Sequence, residues 1–367
     1  MPLPSNPADQ PPASPGAGAT VAQWLTYLEA IHPTEIDLGL DRVLVVLRRL
    51  FRQKPSARII TVAGTNGKGS AVATVEALLR AAGRRTGAYT SPHLQRYNER
   101  VRLNGEDISD DALVSAFEAV EEARGNVSLT YFEFGTLAAF VAFAGAGLDD
   151  WVLEVGLGGR LDAVNVLDAD FAILTSVDID HVAFLGDNRE VIGFEKAGVL
   201  RPGIPSVYAD SDPPRSVLQQ ATAQKVELAL LGRDYELVTE QQAGDDAPAV
   251  ELRHKGRAIR LPAGPLPIKS VAAAVVAIRE LEPNLPVPVI EQVLSGLSVP
   301  GRFERVGSAP AIFLAVCHNP HAAGLLSGPL GGLTSPGIRV PCFYGPGAVT
   351  AGVCVACGVV SVCFWSV

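Results

Sequence analysis

Three short polar segments of this 367-residue chain carry side chains that could handle a polyphosphate and a divalent cation. The first is Gly64-Thr65-Asn66-Gly67-Lys68-Gly69-Ser70. Glycines let backbone N–H groups face phosphate oxygens, and a helix starting here adds the positive end of its dipole. Lys68 can then reach the outer phosphates and the Ser70 hydroxyl can meet Mg2+. The strict phosphate-loop spacing is not kept, since Val62 stands where its first glycine would be. The bland alternative is a glycine turn between strand and helix, which has no need of a lysine at the helix start. The second segment begins at Glu154, a carboxylate inside the apolar run Trp151–Val155, and continues as Gly156-Leu-Gly-Gly-Arg-Leu-Asp162. Burying a carboxylate is costly unless it is paired or metal-bound, which favours a ligand role over a structural one. The third, Asp178-Ile179-Asp180-His181, closes another apolar run, where a histidine can be either a ligand or a structural group. Two further stretches are ambiguous by themselves. Thr90-Ser91-Pro92-His93-Leu94 reads as a commonplace X-Pro loop, and Phe194-Glu195-Lys196-Ala197-Gly198 as an exposed helix end with a cation near its C-terminus.

The surrounding pattern supplies elements able to hold these segments. The β-branched run Ala57–Ala63 predicts a buried parallel strand, followed by the glycine loop and an Ala/Val/Leu-rich helix that stops at Gly83. Strand-like runs recur at Thr86–Thr90, Trp151–Val155 and Phe171–Val177, separated by helix-length stretches. That alternation is expected of an α/β fold with a doubly wound, mostly parallel sheet. Ligands of such sheets bind beyond the carboxyl ends of the strands, so the polar segments should converge although they are distant in sequence. Upstream, Trp24, Leu28 and Ile31 recur at helical spacing before the turn-like His32-Pro33, and Asp37–Leu50 reads as a second amphipathic segment. Between Lys225 and Leu261 the charge density rises and short alternating runs suggest a small peripheral β subdomain.

The chain is long enough for two domains, with a composition 48% hydrophobic and 19% charged that suits a globular protein. A formal net charge of -9 without a basic cluster argues against a nucleic-acid or anionic-membrane partner. Met1 to Thr20 holds six prolines and no apolar run, so it reads as a disordered leader and not as a signal or a span. All five cysteines lie at or after Cys317, which suits a reducing compartment, the cytoplasm, for what precedes them.

Jointly, these residues resemble the folylpolyglutamate synthase/dihydrofolate synthase family of the Mur ligase superfamily. The matching stretches are Ile36–Leu40, Gly64–Ser70, Ser91–Leu94, Leu129–Glu133, Glu154–Asn165, Asp180-His181, Glu195–Gly198, Pro300–Arg302 and His318–Pro320, covering about residues 21 to 325. The resemblance implies an ATP-dependent ligase that phosphorylates the carboxylate of 7,8-dihydropteroate or of a folate and lets the amine of L-glutamate attack the acyl phosphate. It implies that Gly64, Thr65, Asn66, Gly67, Lys68, Gly69 and Ser70 hold the ATP phosphates, with Arg302 and His318 as further nucleotide contacts. Ser91, Glu154 and His181 would ligate Mg2+, and a carbamylated Lys196 would help organise a second Mg2+; Lys68, Lys196 and His181 are then the catalytic set. Asp37, Leu38, Gly39, Thr130, Tyr131, Phe132, Glu133, Leu161, Asp162 and Ala163 match segments that hold the pterin substrate. The protein is expected to act as a monomer.

The chain also departs from the family. Ala315 stands where the family has an aspartate ahead of its His-Asn-Pro motif, and Ser270 replaces an adenine-side asparagine. The resemblance fades after His321-Ala-Ala, with 46 residues following His321, too few for the family's C-terminal α/β domain. From Val306 onward the single Lys, Arg, Asp or Glu is Arg339, against 29 basic and 39 acidic residues before it. A folded domain cannot cover its surface that way, and the shift is that of an out-of-frame or otherwise aberrant segment. Resequencing the gene would decide this, an in-frame reading through Val367 counting against it. Cys354-Val-Ala-Cys357 lacks the partner pair of a zinc site, and the uncharged stretch from Gly347 is glycine-rich, unlike a membrane span. The expected organisation is a leader over 1–20, a nucleotide- and pterin-binding domain over 21–299 and a remnant of the glutamate-handling domain over 300–367. Two other readings stay open: a catalytically dead nucleotide- and pterin-binding remnant, and a ligase for another carboxylate.

Overall fold

The computed structural model describes residues 13–16, 18–240, 249–262, 264–302, 304–308, 311–314, 355–356 and 359–360. Helix α1 (Val21–Ala30) starts on a capping box in which Thr20 Oγ1 accepts from the Gln23 N–H and Gln23 Oε1 accepts from the Thr20 N–H. It buries Trp24, Tyr27 and Leu28, the face its helical spacing predicts. Helix α2 (Asp41–Leu50) begins later than the amphipathic pattern from Asp37 suggests. The reason is local: the Asp37 carbonyl and carboxylate both accept from Arg42, which holds Asp37–Leu40 as a loop.

An eight-stranded sheet follows, built from β1 (Arg58–Ala63), β2 (Thr86–Tyr89), β3 (Val101–Leu103), β4 (Glu106–Asp107), β5 (Asp150–Glu154), β6 (Phe171–Leu174), β7 (Pro205–Tyr208) and β8 (Glu227–Leu230). The spatial order is β4-β3-β2-β5-β1-β6-β7-β8. The neighbouring pairs from β2 to β8 are parallel, and the β3–β4 edge runs antiparallel. Between strands run α3 (Lys68–Ala81), α4 (Asp110–Arg124), α5 (Tyr131–Gly145), the short α6 (Val182–Leu185), α7 (Arg189–Ala197) and α8 (Arg215–Ala223). This is the doubly wound arrangement expected from the strand–helix alternation.

Each face of the sheet carries its own core. Ile59, Leu153 and Leu174 pack with Trp24, Phe117, Phe134 and Phe140 of α1, α4 and α5. Ile60, Val62, Val152 and Ile173 pack with Val72 and Val75 of α3 and with the apolar run of α9 (Ile268–Leu281). Alternate residues of one strand thus serve opposite faces, which is why the central strands read as unbroken apolar runs. Strands β9 (Tyr235–Glu240), β10 (Ala249–His254) and β11 (Arg257–Leu261) form a separate three-stranded antiparallel sheet, so the peripheral subdomain expected from Lys225 begins only at Tyr235, because Glu227–Leu230 pairs with β7 as the edge of the large sheet. Helix α10 (Val287–Ser295) and the hairpin of β12 (Glu304–Ser308) and β13 (Ala311–Leu314) follow, with a two-residue pairing of β14 (Val355–Ala356) and β15 (Val359–Val360) beyond.

Candidate active site

The glycine loop leaves the carboxyl end of β1 and is sewn to the end of β6. The Thr65 N–H donates to Ser176 O (2.8 Å), the Asn66 N–H to Ser176 Oγ (3.1 Å), and the Asp178 N–H to Thr65 Oγ1 (3.0 Å). These bonds explain why β6 ends at Leu174 and not at Val177: the Ser176 carbonyl and hydroxyl and the Asp178 N–H are spent on the loop. Gly67 is the N-cap of α3 with φ 82°, and a Cβ there would lie 2.2 Å from Ser270 Oγ, so only glycine fits. No side chain caps α3, which leaves the first-turn N–H groups available to an anion. Ser70 Oγ is buried without a hydrogen-bond partner among the described residues, the condition of a hydroxyl that awaits a ligand. Gly69 lies over the end of β5, since a Cβ added to it would sit 3.5 Å from Glu154 Oε2 and 3.8 Å from Arg302 Nη2.

Glu154 is buried at the end of β5, where the Ser91 N–H donates to its Oε2 at 3.3 Å. Burial pushes its carboxyl pKa up, against the pull of Lys68, Arg302 and that N–H. Burial pushes the Lys68 ammonium down, although Glu154 and Asp180 act to raise it. Lys68 Nζ donates to Gly64 O (3.0 Å) and Thr65 O (3.2 Å), so the ammonium is parked on backbone carbonyls that a phosphate can displace. A buried carboxylate and an unpartnered buried hydroxyl are the hard oxygen donors that suit Mg2+. Arg302 is half-buried beside them, while His318 lies outside the described residues.

The reading of Lys196 as an exposed helix-end cation does not hold. Its side chain is buried and Nζ donates to Gly64 O at 3.1 Å, the same carbonyl that Lys68 uses. Helix α7 is pinned there because Gly159 has no Cβ, one of which would meet Glu195 O at 2.6 Å and Lys196 Cα at 2.9 Å, and because Arg160 pairs with Glu195 (2.8 Å). Burial and then the Lys68 charge lower the Lys196 pKa to about 7, while Asp180 and Asp162 pull upward. His181 is the N-cap of α6 in the left-handed region (φ 48°), exposed, and adjacent to the Asp180 whose field acts on both lysines. Lys68, Glu154, Asp180-His181 and Lys196 are thus brought to one end of the central strands.

The segments matched to pterin binding form a wall beside this centre. Thr130 and Glu133 cap α5 reciprocally, and Arg42 joins Glu133 Oε1 (2.9 Å) to Asp37 Oδ2 (2.6 Å). Leu38, Gly39, Tyr131, Phe132 and Leu161 remain half-buried around these ties. Asp162 is buried, accepts from the Leu157 and Val164 N–H groups (2.9 Å each), and has its pKa raised to about 6, chiefly by burial. Ala163 is buried beside it. Sequence reasoning missed a neighbouring cluster: Arg100 lies over the rings of Tyr97 (5.1 Å) and Tyr131 (5.6 Å) and donates from Nε to His93 Nδ1 (2.9 Å). The signal available was the run Arg96-Tyr-Asn-Glu-Arg100, where aromatic and basic residues follow the Ser91–Leu94 loop.

A cavity of about 410 Å³ lies at the opposite, amino end of the strands, lined by Phe51, Ala57, Arg84, Arg85, Asp149 and Trp151 among others. Its cations are already paired, Arg84 with Asp150 (2.7 Å) and Arg85 with Asp149 (2.8 Å), and the switch-point logic favours the other end. Among the described residues no helix is long and apolar enough to cross a membrane.

No family model matches the chain. A dihydrofolate synthase/folylpolyglutamate synthase of Escherichia coli (strain K12) is 41% identical over 326 residues, 88% of this chain and 76% of that protein. The chain belongs to the dihydrofolate synthase/folylpolyglutamate synthase family. The Haemophilus influenzae member is 40% identical over 327 residues, 85% of this chain and 74% of that protein. Among solved structures, E. coli FolC in complex with DHPP and ADP superposes with a TM-score of 0.83 at 40% identity, over 88% of this chain and 77% of that one. The Yersinia pestis bifunctional enzyme complexed with AMPPNP and Mn ion gives a TM-score of 0.80 at 44% identity, over 87% and 76%. This family's α/β fold is the one the strand order describes.

Proposed function

We propose that this chain is an ATP-dependent acid–amino-acid ligase that joins L-glutamate to the carboxylate of 7,8-dihydropteroate and to reduced folates. The observation that carries the reading is the convergence of Lys68 and Lys196 on the single carbonyl of Gly64, beside the buried Glu154 and under an uncapped helix start. Relatives at this identity include enzymes solved with ADP and with AMPPNP and Mn ion. Bound Mg2+ would neutralise charge on the ATP phosphates, and Ser70, Ser91, Glu154 and His181 are the groups proposed to hold it.

The chain's own residues supply the rest. The N–H groups from Gly67 to Ser70 cradle the phosphates, and Lys68 swings from Gly64 O to the transferring phosphoryl as its charge spreads. The substrate carboxylate attacks that phosphorus and ADP leaves. The glutamate amine then attacks the acyl carbon, expelling phosphate and losing a proton, to give the amide. With a pKa of about 7, Lys196 holds a large neutral fraction at neutral pH, the form whose nitrogen can add to CO2 and lose a proton to become a carbamate. Asp37–Gly39, Thr130–Glu133 and Leu161–Ala163 are proposed to seat the pterin, residues 21–299 to form the nucleotide- and pterin-binding domain, and the cytoplasm to be where it works.

The test is ADP release by the full chain with ATP, Mg2+ and dihydropteroate, with and without glutamate. Glutamate-dependent release supports the ligase. Binding of ATP and dihydropteroate without turnover points to a binding remnant, and turnover only with a non-pterin acid points to another carboxylate. Carbamylation of Lys196 is read by a 13C-bicarbonate NMR signal that disappears in Lys196→Met.

A further inference from the structure

The cluster on Arg100 is not used by the chemistry above, and its electrostatics are unlike those of its neighbours. Three guanidinium groups of the surrounding segments are matched to carboxylates: Arg42 to Glu133 and Asp37, Arg102 to Glu76 (2.7 Å), Arg160 to Glu195. Arg100 has no carboxylate within ion-pair distance among the described residues. Its sequence neighbour Glu99 is spent on the N–H groups of Leu94 (2.7 Å), Gln95 (2.8 Å) and Arg96 (2.7 Å). What holds Arg100 is two aromatic faces and a ring nitrogen. Its Nε donates to His93 Nδ1, which leaves both Nη groups free of any hydrogen bond to the described residues. A half-buried guanidinium fixed in orientation with its forked end unsatisfied is the arrangement that receives a carboxylate in bidentate fashion.

Its place narrows the carboxylate. The backbone of Arg100 pairs with Thr90, next to the Ser91 whose N–H meets Glu154, while its side chain reaches Tyr131 at the start of α5. Arg100 therefore bridges the Ser91 loop proposed to hold the metal and the Tyr131 end of a segment proposed to seat the pterin, and it lies outside the phosphate-binding loop. Dihydropteroate carries one carboxylate, and that one reacts. A folate carries a second, the α-carboxylate of its glutamyl residue, which the reaction leaves untouched.

We infer that Arg100, oriented by His93, Tyr97 and Tyr131, binds the non-reacting α-carboxylate of a glutamylated substrate and so distinguishes folates from dihydropteroate. This rests on the ligase reading above. The α-carboxylate accepts two hydrogen bonds from the Nη groups, and the aromatic faces keep the cation aimed while water is displaced.

Calorimetric titration of the full chain with dihydropteroate and, separately, with dihydrofolate isolates the effect, because the two ligands share the pterin and differ by one glutamyl residue. Arg100→Gln should weaken dihydrofolate about tenfold, the usual size of a lost charge-assisted contact, and leave dihydropteroate within about twofold. Arg100→Lys, which keeps the packing and the charge but not the fork, should fall between wild type and Arg100→Gln for dihydrofolate and stands in if the glutamine variant does not fold. Raising the salt should weaken dihydrofolate binding in wild type and not in Arg100→Gln. Equal losses for both ligands, or no loss for either, would overturn the assignment. Wild type that binds neither ligand would instead remove the ligase reading on which it stands.

Discussion

The two walls of the candidate site are built on opposite principles. On the nucleotide wall the loop is fixed by its own backbone, through Thr65 and Asn66 to Ser176, and the functional side chains are left with spare capacity. Lys68 and Lys196 rest on carbonyls, and Ser70 Oγ has no partner among the described residues. On the wall proposed to seat the pterin the acids are already committed: Glu133 to the Thr130 N–H and Arg42, Asp37 to Arg42, Asp162 to two N–H groups. The first wall is prepared for charge that arrives with ATP and metal. The second is prepared mainly for shape, since its acids are neutralised before any substrate is present and Arg100 beside Tyr131 is the one cation named there that is left without a carboxylate among the described residues.

The sharpest way to break that contrast is Lys68→Met. Removing a donor aimed at charge that develops in the reaction should lower glutamate-dependent ADP release by about two to three orders of magnitude. Folding stability should hold or rise, because a buried ammonium is eliminated. A variant that loses stability and activity in step would show Lys68 to be a structural brace. On the other wall the order reverses. Arg42→Gln strands the buried Glu133 and should cost about 2 kcal/mol in urea denaturation. The double variant with Glu133→Gln should recover part of it, the coupling expected of partners in contact. Full additivity of the two changes would mean that the pair contributes little.

Which of these features could be read from the chain alone follows the same division. The nucleotide wall was legible because its chemistry sits in contiguous motifs after strands, where Gly64–Ser70 and Glu154–Asp162 stand out against apolar runs. The parallel sheet was legible for the same reason, its strands being buried on both faces. The burial of Lys196 is not legible from composition because it is imposed by Gly159, which lies 37 residues earlier, and by the Arg160–Glu195 pair, whose members are 35 residues apart.

 Gly159 precedes Lys196, and Arg160 precedes Glu195, by most of a β-strand crossover, so no local pattern reports the contact. Arg42 and Arg100 went unnoticed because an arginine's partner is a tertiary fact: Glu133 lies 91 residues from Arg42. Helix α2 starts later than the amphipathic pattern because Asp37 and Arg42 obey helical spacing while their side chains hold the loop that precedes the helix.

The titrations sharpen the comparison further, since Lys196 and Asp162 should bend the pH dependence of stability in opposite directions. Lys196 on the nucleotide wall has a folded pKa of about 7, below its unfolded value of 10.5. Between those values the unfolded chain binds the proton more tightly, so stability rises with pH, by at most about 1.4 kcal/mol per pH unit. Asp162 on the pterin wall has a folded pKa of about 6, above its unfolded value of 3.8. Its contribution is fully present below pH 3.8 and is lost as the pH rises through 6. Urea denaturation across pH 4 to 10 should show the upper slope shrink in Lys196→Met and the lower one in Asp162→Asn, with Lys68 and Glu154 keeping the remainder. An upper slope unchanged in Lys196→Met would assign it to another group, Lys68 first.

The smallest effect is expected at Ser70, where the contrast is finest. A buried hydroxyl without a partner contributes nothing favourable to the free protein, so Ser70→Ala should leave the melting temperature unchanged or slightly higher. The same change removes an oxygen donor from the start of α3, and should weaken calorimetric binding of ATP with Mg2+ about fivefold, as one lost neutral contact does. Binding of ATP in the presence of EDTA should change less, because the hydroxyl is assigned to the metal and the N–H groups of Gly67 to Ser70 still meet the phosphates. A loss of stability without a loss of metal-dependent affinity would mean that Ser70 is a packing residue, and that the nucleotide wall keeps less capacity in reserve than its unpartnered hydroxyl indicates.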